Sequence, residues 1–378
     1  MTSAVPPREA PDAVRGAPDV VRGAAGLGFE RRAPGLPPGL HLGDVGGLLP
    51  PTSPAARGPR VVALGGGHGL AASLSALRRV TDNLTAVVTV SDDGGSSGRL
   101  RREFGVLPPG DLRKALAALC GDDPWGRIWA EVVQFRFDST GQLNDHALGN
   151  LLIVAISELL GDEVAALELV GRLLRAHGRV LPMSVTPLDI EAEVTAFDPA
   201  DPTATRTVRG QVEVATATGR VVSVSLVPAD PPACPQAVSA ILDADWVVLG
   251  PGSWFSSVLP HLLVPELAKA LIETPARKVI ALNLAPQPGE TADFSPEAHL
   301  DVLAAHAPEL SIDVVLADER VVAKADTLRA VAADMGGRLV LAPVAMSDGS
   351  PRHDPELLAA AYAWIFKGSF EDAGLQEH

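Results

Sequence analysis

A β-branched run that passes straight into glycines and then into a helical pattern, RVVALGGGHGLAASLSALRRV from Arg60 to Val80, restricts this chain more than any other stretch. The apolar run 61–64 reads as a buried strand, and Leu70, Leu74 and Leu77 recur at helical spacing. A strand that feeds a helix through a tight turn belongs to a parallel sheet, because parallel neighbours need crossover connections. LTAVVTVSDD supplies the next strand, and DLRKALAALC the next helix, with Asp111 expected as its N-cap after Pro108-Pro109-Gly110.

The same alternation continues. Helices read at 125–134, 147–160 and 162–177, then near 235–243 and 256–273, at 295–307, and from Asp354 to about Phe366. Strands read at 245–250, 278–283, 313–318 and 338–344. The expected fold class is therefore α/β: a Rossmann-like, doubly wound, mostly parallel sheet covered on both faces. Between 181 and about 230 the rhythm changes to alternating apolar and polar residues with a turn at Thr218-Gly219, which predicts a small antiparallel β insertion. Residues 1–59 are rich in proline, glycine and alanine and contain the near-repeat APDAVRG, APDVVRG, so a disordered tail is expected ahead of a nucleotide-binding domain at 60–378.

Charge and cysteine content narrow the function classes. A formal charge of −15 without a Lys/Arg run argues against nucleic acid or an anionic membrane surface as the main partner. No stretch has the ~18 uninterrupted apolar residues of a spanning helix, so no membrane insertion is expected. Cys120 and Cys234 lie far apart with no metal-like spacing, which fits a cytoplasmic location.

In an open parallel sheet, ligands bind at the carboxyl ends of the strands. The segments that follow the strands here are GGGHG, SDDGGSSG, GPGS and NLAPQPGE. Gly65, Gly66, Gly67, His68 and Gly69 open a helix, so main-chain N–H groups and the helix dipole can face a phosphate. Gly250, Gly252 and Ser253 repeat that arrangement in the second half of the sheet. The first loop lacks the Lys-Ser/Thr ending of a P-loop and puts Leu70 where a dinucleotide fingerprint has its third glycine.

Asp92 and Asp93 follow the second strand about 25 residues after the first glycine loop, where a dinucleotide fold contacts ribose; NAD(P) is thus a competitor. Gly94, Gly95, Ser96 and Ser97 read as a polar loop of clustered donors, and Arg99 can fork onto phosphate oxygens. The two carboxylates can alternatively hold Mg²⁺ against a diphosphate. Gly110 and Asp111, then Asp145, His146 and Asn150, complete the polar candidates. No Ser-His-Asp triad, HExxH pair or CxxC is present.

Taken together, GGGHGL, TVSDDGGSSGRLRREFGVLPPGDLRKAL, HALGNLL, GPGSWFSSVLPHLLVP and QPGETADFSPEAHL resemble the bacterial YvcK-type gluconeogenesis factors. These belong to a wider group that includes the 2-phospholactate transferases of coenzyme F420 synthesis. The resemblance covers about residues 60 to 370. It implies a cytosolic protein that binds UDP-sugars, notably UDP-N-acetylglucosamine, and supports cell shape and envelope precursor supply on gluconeogenic carbon. It adds Asn283 and Phe294 to the candidate nucleotide-binding residues, with Phe294 a stacking surface for uracil. His68, Asp145, Phe294 and Ala298 depart from the usual pattern.

Three functions follow as alternatives. The first is a UDP-sugar-binding regulator, a homo-oligomer that signals to a partner enzyme. The second is a Mg²⁺-dependent transferase of a phosphate-linked group, with Asp92 or Asp93 on the metal. The third is an NAD(P)-binding protein.

Overall fold

The computed structural model describes residues 58–368, apart from 198–200, 202, 288, 292 and 293. The expected tail at 1–59 lies almost wholly outside the described residues. Gly58 and Pro59 are described, and their carbonyls accept hydrogen bonds from Asn83 Nδ2 (2.9 Å) and Thr81 Oγ1 (2.6 Å).

Strand β1 (Val61–Gly65) is buried at every position, as is β7 (Trp246–Leu249). Successive strand side chains point to opposite faces, so full burial means that both faces of the sheet are covered. The seven strands run in the order β10 (Arg338–Leu341), β9 (Val314–Ala317), β8 (Arg277–Ala281), β7, β1, β2 (Leu84–Val88), β3 (Arg179–Pro182). Every pairing is parallel, from β1 with β2 and β7 outward to both edges.

The chain leaves β1 toward β2 and β3, then returns to lay β7 on the other side of β1. The winding direction therefore reverses between β1 and β7, and the crevice beyond their carboxyl ends is the topological switch point. One apolar cluster runs through the whole sheet. Helix α1 (Gly67–Leu77) is tied to the C-terminal helix α12 (Pro355–Lys367) by a 2.8 Å hydrogen bond between Ser73 Oγ and Tyr362 Oη, both buried.

Several sequence expectations need correction. The segment read as a polar loop is helix α2 (Gly95–Phe104), started by Gly94 and ended by Gly105 at φ 68°. Its Ser96 and Ser97 are buried, because short hydroxyls can be satisfied inside where longer polar side chains cannot. Asp111 is not an N-cap: helix α3 (Pro109–Ala118) starts two residues earlier, with Pro108 at the cap and no side-chain capping bond. Helices α4 (Pro124–Gln134), α5 (Leu148–Leu160) and α6 (Glu163–Leu174) stand close to where they were expected.

The antiparallel insertion begins later than 181, since β3 belongs to the main sheet. It consists of β4 (Asp189–Thr195), β5 (Thr205–Arg209) and β6 (Arg220–Val227) in the order β5-β4-β6. QVEVA, which alternates like a strand, is instead one helical turn, α7 (Gln211–Ala215). The helix expected over 256–273 is broken by Pro260 and Pro265 into two irregular turns, 254–258 and 259–263, and α9 (Pro265–Glu273). No single helix among the described residues is long and apolar enough to cross a membrane.

Candidate functional site

The glycine turn after β1 depends on three glycines, one for its backbone conformation and two for lack of space. Gly67 has φ 61°, a left-handed conformation that favours glycine. A Cβ on Gly66 would sit 2.7 Å from Asp111 Oδ2 and even closer to Thr89 Oγ1. A Cβ on Gly69 would sit 2.5 Å from Gly252 Cα and 2.7 Å from Pro251 C. The turn after β1 and the turn after β7 are therefore in backbone contact at the switch point.

Around them opens a cavity of about 850 Å³. One wall is the start of α1, with Gly66, Gly67, His68 and Gly69; the next is Pro251, Gly252 and Ser253. Asp92, Asp111 and Lys114 form the floor, α7 of the insertion overhangs one side, and Pro351–His353 closes the other. No side chain caps α1, so its first N–H groups keep their donor capacity toward the cavity.

The second turn is held by two side chains. Asn283 grips the peptide of Gly252: its Oδ1 accepts from Gly252 N (2.9 Å) and its Nδ2 donates to Gly252 O (2.8 Å). Glu290, 4% exposed, accepts from Ser256 Oγ (2.7 Å), Phe255 N (3.2 Å) and Ser253 Oγ (2.5 Å). Ser253 also makes a very short contact with Ser256 Oγ.

The acidic floor is a different pair from the one its sequence adjacency suggests. Asp92 Oδ1 accepts from Gly94 N (3.0 Å), and its other oxygen lies against Gly110, where a Cβ would stand 2.6 Å away. Burial first, and the Asp111 carboxylate second, push the Asp92 pKa up, partly offset by the Gly94 N–H and the Ser97 hydroxyl. Asp111 is 4% exposed; its Oδ1 accepts from Lys114 Nζ (3.0 Å) and its Oδ2 from Thr89 Oγ1 (3.4 Å).

Asp93 faces elsewhere. Its Oδ1 accepts from Val212 N (3.1 Å) at the start of α7, and its other oxygen lies against Gly210. It joins the insertion to the sheet and does not line the cavity. No cluster of three or more metal-type ligands occurs among the described residues.

Five further candidates, Ser96, Arg99, His146, Asn150 and Phe294, do not line the cavity either. Ser96 Oγ lies 3.0 Å from His146 Nδ1 and accepts from Asn150 Nδ2 (3.0 Å) and Ala147 N (3.4 Å), stitching the start of α2 to the start of α5. Arg99 donates to the carbonyls of Gln142 (3.3 Å) and Asn144 (2.7 Å). Phe294 is 7% exposed and packs edge-on against Phe255 and His299, so it offers no face to a base.

Two histidines line the cavity. Burial, and then Lys114, lower the His68 pKa, so the imidazole at the α1 N-terminus is neutral near neutral pH. Burial pushes His353 down to about 4 despite a hydrogen bond to the Leu282 backbone. Glu290 was within sight of sequence reasoning, since QPGE follows β8 at a strand end; His353, about 70 residues beyond that strand, carried no signal.

A fully parallel, doubly wound sheet with paired glycine turns at its switch point defines a Rossmann-like α/β protein. The chain belongs to the family described as 2-phospho-L-lactate transferase CofD, whose model matches residues 61–338. It is 55% identical over 303 residues to a Mycobacterium tuberculosis protein named "Putative gluconeogenesis factor", a match spanning 79% of this chain and 88% of that one. The gluconeogenesis factor of Bacillus subtilis is 36% identical over 258 residues, with 68% and 78% covered. A crystal structure of a UPF0052 family member from Bacillus halodurans superposes with TM-score 0.71 at 31% identity, covering 80% of this chain and 98% of that one.

Proposed function

We propose that the protein is a cytoplasmic sensor of nucleoside diphosphate sugars, with UDP-N-acetylglucosamine as its ligand, that reports gluconeogenic carbon supply to a partner enzyme of envelope precursor synthesis and so supports cell shape. The observation that carries the reading is the meeting of two glycine turns at one cavity. A diphosphate needs several donors that come close without side chains in the way, and the N–H groups of Gly67–Gly69 and the Gly252-Ser253 turn meet that need. The volume suits a ligand much larger than phosphate alone. The gluconeogenesis factor name of its relatives supports the physiological role.

Isothermal titration with UDP-N-acetylglucosamine, alone and against NAD, tests the reading. Saturable heat that NAD does not displace is expected. No heat at millimolar ligand, or full displacement by NAD, contradicts it.

Asp92 and Asp111, two carboxylates that line the same cavity and repel one another's charge, favour a second reading, a Mg²⁺-dependent transferase. Two carboxylates suit an ion that keeps its waters and shares substrate phosphates; Asp93, bound to Val212, is not one of them. The metal would neutralise developing phosphate charge. Nucleotide released from a nucleotide-linked donor only with Mg²⁺, and lost in Asp92→Asn, would establish this reading; the sensor reading predicts no release.

A further inference from the structure

Helix α4 is apolar around more of its circumference than the core uses. Gly126 and Val133 face inward and are buried, Gly126 against Gly121 and Val133 against Gly149. The opposite side still carries Trp125, Ile128, Val132 and Phe135. Trp125 is 39%, Ile128 52% and Phe135 55% exposed, and Leu143 in the following loop is 51% exposed. Phe135 extends this surface through an edge-on contact with Phe137, and Trp125 through a tilted contact with Trp129. An ordinary surface helix has one apolar stripe, turned to the core.

The spacing of the outer row is three, four, three, and reads the same in both directions about residue 130. A two-fold axis there sets Trp125 of one copy opposite Phe135 of another, and Ile128 opposite Val132. Large side chains meet large ones only because the row is palindromic, which is the self-complementarity an isologous interface demands. Arg127 and Glu131 stand at the border of the row; Trp125 is seated on its own chain, with the Arg175 guanidinium 4.8 Å from its ring centroid and its Nε1 donating to Leu173 O (3.3 Å), and the 39% of it left exposed is what meets the other copy. The four exposed side chains leave on the order of 400 Å² of apolar surface uncovered, about the apolar half of the ~800 Å² per partner in a standard interface.

We propose that the outer face of α4, with Leu143, is the homodimer interface of this protein, two copies packing antiparallel across a two-fold axis near residue 130. The cavity lies at the strand ends and takes no residue from this face, so dimer formation and ligand binding are separate properties.

Sedimentation velocity on the full chain at micromolar concentration is expected to give twice the chain mass. The double variant Ile128→Glu, Phe135→Glu should halve that mass with an unchanged far-ultraviolet circular dichroism spectrum. Because that variant could fold poorly, a second test uses cysteines: oxidising a mixture of Ile128→Cys and Val132→Cys chains should cross-link far more protein than either chain alone. A monomeric wild type, a dimer that survives the double glutamate variant, or equal cross-linking in all three samples overturns the proposal. A monomer that dimerises only after deletion of residues 1–57 overturns it as well, and assigns the face to that segment.

Discussion

Replacing Gly69 by alanine separates two effects of opposite sign. Gly69 lies in the first turn of α1, where alanine in place of glycine is worth about 1 kcal/mol in helix propensity. The new methyl, however, would stand 2.5 Å from Gly252 Cα and 2.7 Å from Pro251 C, and these are backbone atoms of a turn already clamped by Asn283. Forcing a methyl into a filled space costs about 1–3 kcal/mol. The net expectation is a loss of up to about 2 kcal/mol, or as much as a few degrees of Tm, together with weaker nucleotide-sugar binding because the two turns are pushed apart. Gly171→Ala in α6 is the control: the nearest atom to its Cβ is Leu116 Cδ2 at 3.7 Å, an ordinary contact, so propensity alone should raise stability. Urea denaturation of both variants, with titration calorimetry, gives the comparison. If Gly69→Ala is stabilised as much as Gly171→Ala, the turns do not touch and the site as described is wrong.

Three other changes follow from the same contacts. Glu290→Gln replaces a carboxylate that accepts from Ser253, Ser256 and Phe255 N–H, and should cost about 1–3 kcal/mol and weaken ligand binding by loosening the second glycine turn. Ser96→Ala removes the shared partner of His146, Asn150 and Ala147 N–H and should cost a similar ~1–3 kcal/mol in denaturant melts while leaving ligand affinity unchanged, since this network stands off the cavity. Asp318 accepts from Arg320, Val344 N–H and Ala345 N–H, and its pKa is held down at about 2. A depressed carboxylate stabilises the fold above its unfolded pKa, so this contribution should fade as pH falls from the ordinary carboxylate range toward 2; in Asp318→Asn that part of the acid dependence should be missing.

The parallel sheet was legible because its central strands β1 and β7 are apolar and buried at every position and each is followed by a glycine turn, a pattern fixed by burial on both faces. The candidate site was legible where the main chain forms it: Gly66 is crowded by the Thr89 hydroxyl and the Asp111 carboxylate, Gly69 by the Pro251-Gly252 backbone, and Gly252 has φ 151°. It was misread where side-chain direction decides. Asp92 and Asp93 are adjacent, yet only Asp92 faces the cavity, because the Asp93 carboxylate is taken by α7 of an insertion more than a hundred residues away in sequence. Ser96 and Arg99 read as phosphate ligands for the same reason that they suit internal hydrogen bonds: both are good donors, and composition does not say to whom. QVEVA alternates like a strand, but the N–H of its second residue, Val212, is accepted by Asp93, and with Gly210 at φ 104° the backbone turns into a helix.

The most direct test is a crystal structure of the full chain with UDP-N-acetylglucosamine. The diphosphate should lie between the α1 N-terminus and the Gly252-Ser253 turn, within hydrogen-bond distance of the N–H groups of Gly67 to Gly69, with Phe294 still packed in the core. A ligand seated away from both glycine turns, or a cavity that stays empty at saturating concentration, would contradict the account.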